Sequence, residues 1–207
     1  MDRYLTAQTK ARYNRIAPYY NFMEAFSERL FKSWRLKLLA HARRKILEVG
    51  IGTGKNFPYY PNDADITGID IADKMLPLAR KRADGLGLAI NLIEGDVQAL
   101  SFPDNSFDTA VATFVFCSVP DPIFGLQELR RVVKPDGQIF LLEHVRIDRP
   151  VIGFIMDIMN PFFLHFIGAN INRHTVENVG MAGLRIEKIE HLGFMQMVKM
   201  IIAHPGK

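Results

Sequence analysis

"KILEVGIGTGKNFPYY", residues 45–60, sets Gly50, Gly52 and Gly54 directly behind a short apolar run that carries an acid, Glu48. Glycines where a strand gives way to a helix permit positive φ and let a ligand approach the backbone closely. Two common nucleotide loops can be tested letter by letter. A P-loop, GxxxxGK[ST], fits "GK" at 54–55, but position 49 is Val and position 56 is Asn. The dinucleotide fingerprint GxGxxG needs glycine at 55 or 57, where Lys55 and Phe57 stand. What remains is E-x-G-x-G-x-G, from Glu48 to Gly54.

Outward from this loop the pattern alternates. Short apolar runs occur at 46–50, 66–70, 90–93, 108–116 and 138–143, with helical or turn-rich segments such as 72–84 and 121–133 between them. Strands alternating with helices predict βαβ units and an α/β fold with a parallel sheet covered on both faces. "KPDGQ" (134–138) reads as a turn. "LRIEKIEHLGFMQMVKMIIAHP" reads as two strands around Gly193, a hairpin that closes the sheet. Residues 150–171 are very apolar, but Asp157, Asn160 and Pro161 interrupt them before about 18 clean residues accumulate, so they predict no membrane span. The expectation is a helix, a break at Pro161 and a second apolar turn, packed as core or walling an apolar pocket. The pocket is favoured, because ligands of open α/β sheets bind outside the carboxyl ends of the strands.

The 207 residues suffice for one sizeable core. Residues 1–44 are expected as a helical preface or lid and residues 45–207 as the domain proper. One cysteine, Cys117, excludes an internal disulfide and fits a reducing compartment such as the cytoplasm. The first twenty residues lack the apolar core of a secretory signal. No cysteine or histidine spacing spells a metal site, and none is expected. Residues 1–45 carry eleven Lys/Arg against three acids, Asp2, Glu24 and Glu28. Such a front end suits an anionic surface, phospholipid or nucleic acid, or is simply a solvated helix face. Residues 24–45 read as a helix with Phe26, Leu30, Trp34 and Leu38 on one side and Lys/Arg on the other. It either covers the sheet or lies on a membrane interface.

The glycine segment resembles motif I of the class I S-adenosylmethionine (SAM)-dependent methyltransferases, and the resemblance continues in order over about residues 45–145. Asp70 ends the second strand, 18 residues after Gly52; Asp96 follows in "EGDVQALSFPDNSFD"; Asp108 opens the fourth strand; "LRRVVKPDGQIFLLEH" resembles the helix, turn and fifth strand. The resemblance implies a Rossmann-like, doubly wound sheet of seven strands, mostly parallel with a C-terminal antiparallel hairpin. It implies that SAM binds through Glu48, Gly50, Gly52, Gly54, Asp70, Ile71, Asp96, Val97 and Phe114, leaving S-adenosylhomocysteine as product. Asp70 would accept the ribose hydroxyls and Asp96 would hold the adenine amino group. As purely structural residues, Glu48 would be a helix-dipole carboxylate and the two aspartates turn or cap residues.

"YNRIAPYYNFM" is similar to the preface of quinone C-methyltransferases and of soluble bacterial phosphatidylethanolamine N-methyltransferases. "FVFCSVPDP" and "LLEHVR" also resemble a thiol-directed, lipid-associated group. All imply a lipophilic acceptor at or near a membrane, a phospholipid amine first, and peripheral attachment through the basic preface. The quinone-type pattern weakens after the fifth strand, where His144 replaces the usual aromatic. His144 and Tyr19 are the expected catalytic residues, as base or positioning groups; Tyr20, Cys117, Ser118 and Glu143 lie in the same regions. His165, His174 and Asn172 read as loop or cap residues. Two rivals stand beside this reading. A non-catalytic SAM- or lipid-binding module is one. A nucleic-acid methyltransferase is the other, but the N/D-P-P-Y/F tetrad is missing and 150–171 is too apolar for a phosphate groove. No nucleic-acid partner is expected.

Overall fold

A computed structural model describes residues 2–23, 25–166 and 168–207. Two helices, α1 (Arg3–Met23) and α2 (Ala25–Leu39), precede the first strand. Strands β1 (Lys45–Val49), β2 (Asp65–Asp70), β3 (Asn91–Glu94), β4 (Phe107–Thr113) and β5 (Val133–His144) then alternate with helices α3 (Leu76–Leu86) and α4 (Pro122–Val132). After β5 come α5 (Pro150–Phe166), α6 (Thr175–Met181), β6 (Arg185–Leu192) and β7 (Val198–His204).

The seven strands form one sheet in the order β3-β2-β1-β4-β5-β7-β6. β1 to β5 are parallel, and β7 runs antiparallel to both β5 and β6. Ile46, Leu47, Glu48 and Val49 of β1 are all buried, as a central strand covered on both faces requires. Leu47, Val49, Ala110 and Leu141 face one layer, shared with Leu126 and Leu129 of α4 and Val179 of α6. Ile46, Val111, Phe140 and Leu142 face the other, shared with Leu38 and Leu39 of α2 and Ala79 and Ala83 of α3. α1 lies across the carboxyl ends, where Ala17 packs with Ala72 and Met75. Asp121 caps α4 by accepting from the N–H groups of Ile123 and Phe124, with Pro122 at the first turn.

Four sequence expectations need correction. The second helix ends at Leu39, and the chain turns before β1 rather than running helical to 45. Its outward side carries Leu30 and Leu36 while Leu38 and Leu39 are buried, so it covers the sheet; the side chain of Phe26 lies outside the described residues. "KPDG" is not a turn before the strand but a bulge within it: Val133 pairs with Phe107 and Gln138 with Thr109, so the residues between loop out. Finally, α5 runs unbroken through Pro161. Proline removes one backbone donor, yet the carboxamide of Asn160 accepts from the N–H of Ile171 (2.9 Å) and donates to Asn170 Oδ1 (3.0 Å), holding the following turn in line. Nor does α5 wall the main cleft or join the core; its large apolar side chains face outward. Among the described residues no helix is long and apolar enough to cross a membrane.

Candidate active site

The sheet reverses its winding between β1 and β4, the position where open α/β sheets bind ligands. A cleft opens there, enclosed enough to take a small molecule between the strand ends and α1. Its floor is Gly50 and Gly52 after β1, Asp70 and Ile71 after β2, Gly95 to Val97 after β3 and Thr113 to Val115 after β4. Its roof is Thr9, Tyr13 and Tyr20 of α1, and Ser118 to Pro120 complete the wall.

The glycine turn is left-handed at each of its three glycines, with φ of +61°, +55° and +75° at Gly50, Gly52 and Gly54. A β-carbon on Gly50 would come within 2.6 Å of Val115, and one on Gly54 would strike the ring of Phe57. At Gly52 only Tyr20 lies near, at 4.0 Å, so that position is bare toward the cleft rather than toward the protein. Asp70 locks the turn: one carboxylate oxygen accepts from the N–H of Gly52 and the other from the N–H of Ala72, both at 2.8 Å. Burial pushes its carboxyl up, against those two hydrogen bonds. Asp96 is braced by Gln98, whose backbone N–H (2.9 Å) and amide reach it, and Gln98 Oε1 in turn accepts from the N–H of Asp121 (3.0 Å). Ile71, Val97 and Phe114 also line the cleft. Phe114 has φ +59°, an uncommon backbone for an aromatic residue, and sits 4.5 Å from the ring of His144 and 4.6 Å from that of Phe31.

Glu48 and Gly54 do not line the cleft; they support it from below. Glu48 is buried, accepting from Asn56 Nδ2 (2.7 Å) and Tyr60 Oη (2.8 Å). Burial pushes its carboxyl up to about 7 against the opposing pull of those bonds and of Arg35. Arg35 reaches in from α2 to donate to Asn56 Oδ1 (2.7 Å) and Thr113 Oγ1 (2.9 Å). The arginine counted in the basic preface is therefore buried beneath the site.

His144 ends β5 and stands behind Phe114, outside the cleft lining. Tyr19 is 68% exposed and turned away. The tyrosines over the cleft are Tyr13 and Tyr20, and Tyr13 Oη lies 2.6 Å from Ser118 Oγ. Thr9, Tyr13 and Tyr20 share a helix face, and their spacing of four and seven residues was the signal available in the sequence. Arg35, Asn56 and Tyr60 gave no such signal, because their role appears only when α2 docks. Cys117 is buried, and burial pushes its thiol up to about 12, so no thiolate is available near neutral pH. Glu143 is buried behind β4, accepting from the N–H groups of Val115 (2.9 Å) and Phe116 (3.1 Å).

The donor set decides the ligand class. Among the described residues two carboxylates and no Lys or Arg line the cleft, which suits a cationic nucleoside without phosphates and disfavours a nucleotide. A family model described as "Methyltransferase domain" matches residues 47–141. A demethylmenaquinone methyltransferase of Lactobacillus johnsonii is 30% identical over 205 residues, 90% of this chain and 84% of that protein. The chain belongs to the class I SAM-dependent methyltransferases.

A phosphatidylethanolamine N-methyltransferase of Cereibacter sphaeroides is 36% identical to this methyltransferase over 123 residues, 57% of this chain and 61% of that protein. Among solved structures, a SAM-dependent methyltransferase of Thermotoga maritima superposes with a TM-score of 0.71 at 18% identity, covering 95% of this chain and 99% of that one, which shows the same fold. SAM supplies an electrophilic methyl group on a sulfonium. The bare backbone at Gly52, the carboxylate of Asp70 and the apolar slot of Ile71 and Val97 fit its sugar and base. Among the described residues no group of His, Cys, Asp and Glu could hold a metal ion.

Proposed function

We propose that this enzyme methylates a lipophilic acceptor at a membrane surface, and that the acceptor is a phospholipid amine. The observation that carries the acceptor class is the composition of the cleft around its methyl-transfer end: Phe114, Val115, Val119 and Pro120 with the hydroxyls of Tyr13 and Ser118. This lining accepts an uncharged or weakly polar group and offers no partner for an acidic one. The phosphatidylethanolamine relative supports the amine; the quinone-methylating relative, which covers most of the chain, supports a quinone ring as second reading.

An ammonium headgroup must lose a proton before it can attack. The nitrogen lone pair then forms the N–CH₃ bond as the S–CH₃ bond breaks, and the sulfur leaves as a neutral thioether. The reaction needs positioning above all, because the sulfonium is already a good leaving group. Tyr13 and Ser118 orient the nitrogen and pass its proton to solvent; His144 acts from behind Phe114, holding that ring against the cleft. Within the preface, 1–44, α1 acts as the lid, and the exposed basic residues meet anionic lipid on the cytoplasmic side. The test is radiolabelled SAM with vesicles containing phosphatidylethanolamine, with a demethylquinone in parallel, followed by product mass analysis. Methylated phospholipid is expected. Label in the quinone alone would transfer the assignment to the second reading, and SAM binding without product from either would sink both.

A further inference from the structure

α5 turns a broad apolar face to the surface. Val151, Phe154, Ile155, Ile158 and Phe162 recur at the spacing of one helix face, and this face is turned outward: Val151 is 72%, Phe154 62%, Ile158 63% and Phe162 58% exposed. The inward side carries the buried Gly153 and the partly buried Ile152, Met156, Asn160 and Phe163. Only one acid occurs in the helix, Asp157, and it is neutralised. Arg146 lies against Gly153, where a β-carbon would displace it, and its guanidinium grips Asp157 (2.9 and 3.1 Å). Arg149 is exposed beside the first turn.

The helix leads into a loop that borders the cleft. The loop behind it is stitched to the cleft wall: both the backbone and the amide N–H of Asn170 donate to the carbonyl of Cys117 (2.8 and 2.9 Å), and Arg173 donates to the carbonyl of Val119 (2.6 Å). Gly168 abuts Arg12 of α1, part of the basic front end.

We infer that α5 is an in-plane membrane helix that inserts Phe154, Ile158 and Phe162 into an anionic bilayer and so sets the mouth of the cleft at the lipid surface. A helix apolar on nearly all sides, whose one acid is neutralised and whose start carries the exposed Arg149, can bury its outer stripe only against a second apolar phase. Arg149 beside the first turn and Arg12 beside Gly168 favour an anionic surface, and the stripe, which offers no hydrogen-bonding group, favours the apolar interior of a bilayer beneath it. The inference deepens the membrane-acceptor reading and rests on it for its purpose, but not for its test.

The test uses the full chain carrying Phe154→Trp, with vesicles of phosphatidylglycerol and phosphatidylcholine, neither of which offers an amine to methylate. Emission from the new indole should shift to the blue on vesicle binding and be quenched by lipids brominated along the acyl chain. Ile158→Ser should weaken vesicle binding at least tenfold while SAM binding and the unfolding midpoint stay unchanged. Co-sedimentation with no change in the indole signal would overturn the inference, as would α5 proving covered by a second copy, seen as a dimer in light scattering that Ile158→Ser dissolves. Absence of phospholipid methylation would leave these readouts intact and bear only on the acceptor.

Discussion

At the scale of single residues, three glycines of one turn do two different jobs. A side chain at Gly54 collides with Phe57, and one at Gly50 with Val115, so those glycines serve the fold. A methyl at Gly52 meets only Tyr20, at 4.0 Å, and points into the cleft. All three share the left-handed strain, on the order of 1–2 kcal/mol for a residue with a β-carbon. Gly54→Ala is therefore expected to lower stability by more than this strain alone, whereas Gly52→Ala loses little beyond it yet weakens SAM binding at least tenfold. Paired calorimetry and thermal unfolding separate the two; equal loss of SAM affinity at both positions with equal unfolding midpoints would refute the division. The sequence announced this turn because its pattern excludes phosphate loops letter by letter, and the acids Asp70 and Asp96 were legible at strand ends. It did not announce that Glu48 sits beneath the cleft rather than in it. A strand residue's face depends on register, and only the pairing of β1 with β2 and β4 fixes it.

At the scale of elements, α1 is held over the cleft mostly by surface polar contacts. Asn14 donates to Asp73 Oδ1 (2.7 Å) and accepts from the N–H of Lys74 (3.1 Å), while Lys10 pairs with Glu94 and Asp73. Its apolar anchor is Ala17 against Ala72 and Met75, ringed by the partly buried Tyr13, Ile16, Tyr20 and Leu78. Exposed ion pairs contribute about 0–1 kcal/mol each and weaken with salt, so this helix can lift without unfolding the domain. Asn14→Ala is expected to speed SAM dissociation severalfold in stopped-flow measurements while shifting the unfolding midpoint by no more than a few degrees. A dissociation rate unchanged by the substitution and by 0.5 M salt, roughly a fourfold shorter Debye length than at 0.03 M, would mean that α1 does not gate the site. The existence of α2 was readable from its apolar spacing. The continuity of α5 was not: Pro161 signals a break locally, and the bridge from Asn160 to Asn170 and Ile171 that offsets it depends on a loop ten residues away. Burial direction was equally hidden, since an apolar helix reads as core until its outward face is seen.

At the scale of the whole molecule, two carboxyls are buried on opposite faces of the sheet. Glu48 faces the layer of Ile46 and α2, and Glu143 the layer of Leu141 and α4. Burial pushes each up to about 7 from an ordinary 4.5, despite hydrogen bonds that pull the other way. Between those values the folded protein keeps a proton on each group that the unfolded chain has released. Stability must then fall as pH rises from about 4.5 to about 7 and level off above, by about 3 kcal/mol at most for each group. Carboxyls held low by partners, such as Asp108, Glu128 and Asp157, lose their stabilisation only below this window. Denaturant unfolding should accordingly give a higher midpoint at pH 5 than at pH 8. Glu48→Gln keeps both bonds at this site, its carbonyl accepting from Asn56 and its amide donating to Tyr60, and removes the titration. The variant should show about half the wild-type difference between the two pH values, gained mainly at pH 8. An identical difference in both proteins would mean that Glu48 is already ionised at pH 5, with Arg35 and not a shared proton balancing it beneath the SAM cleft.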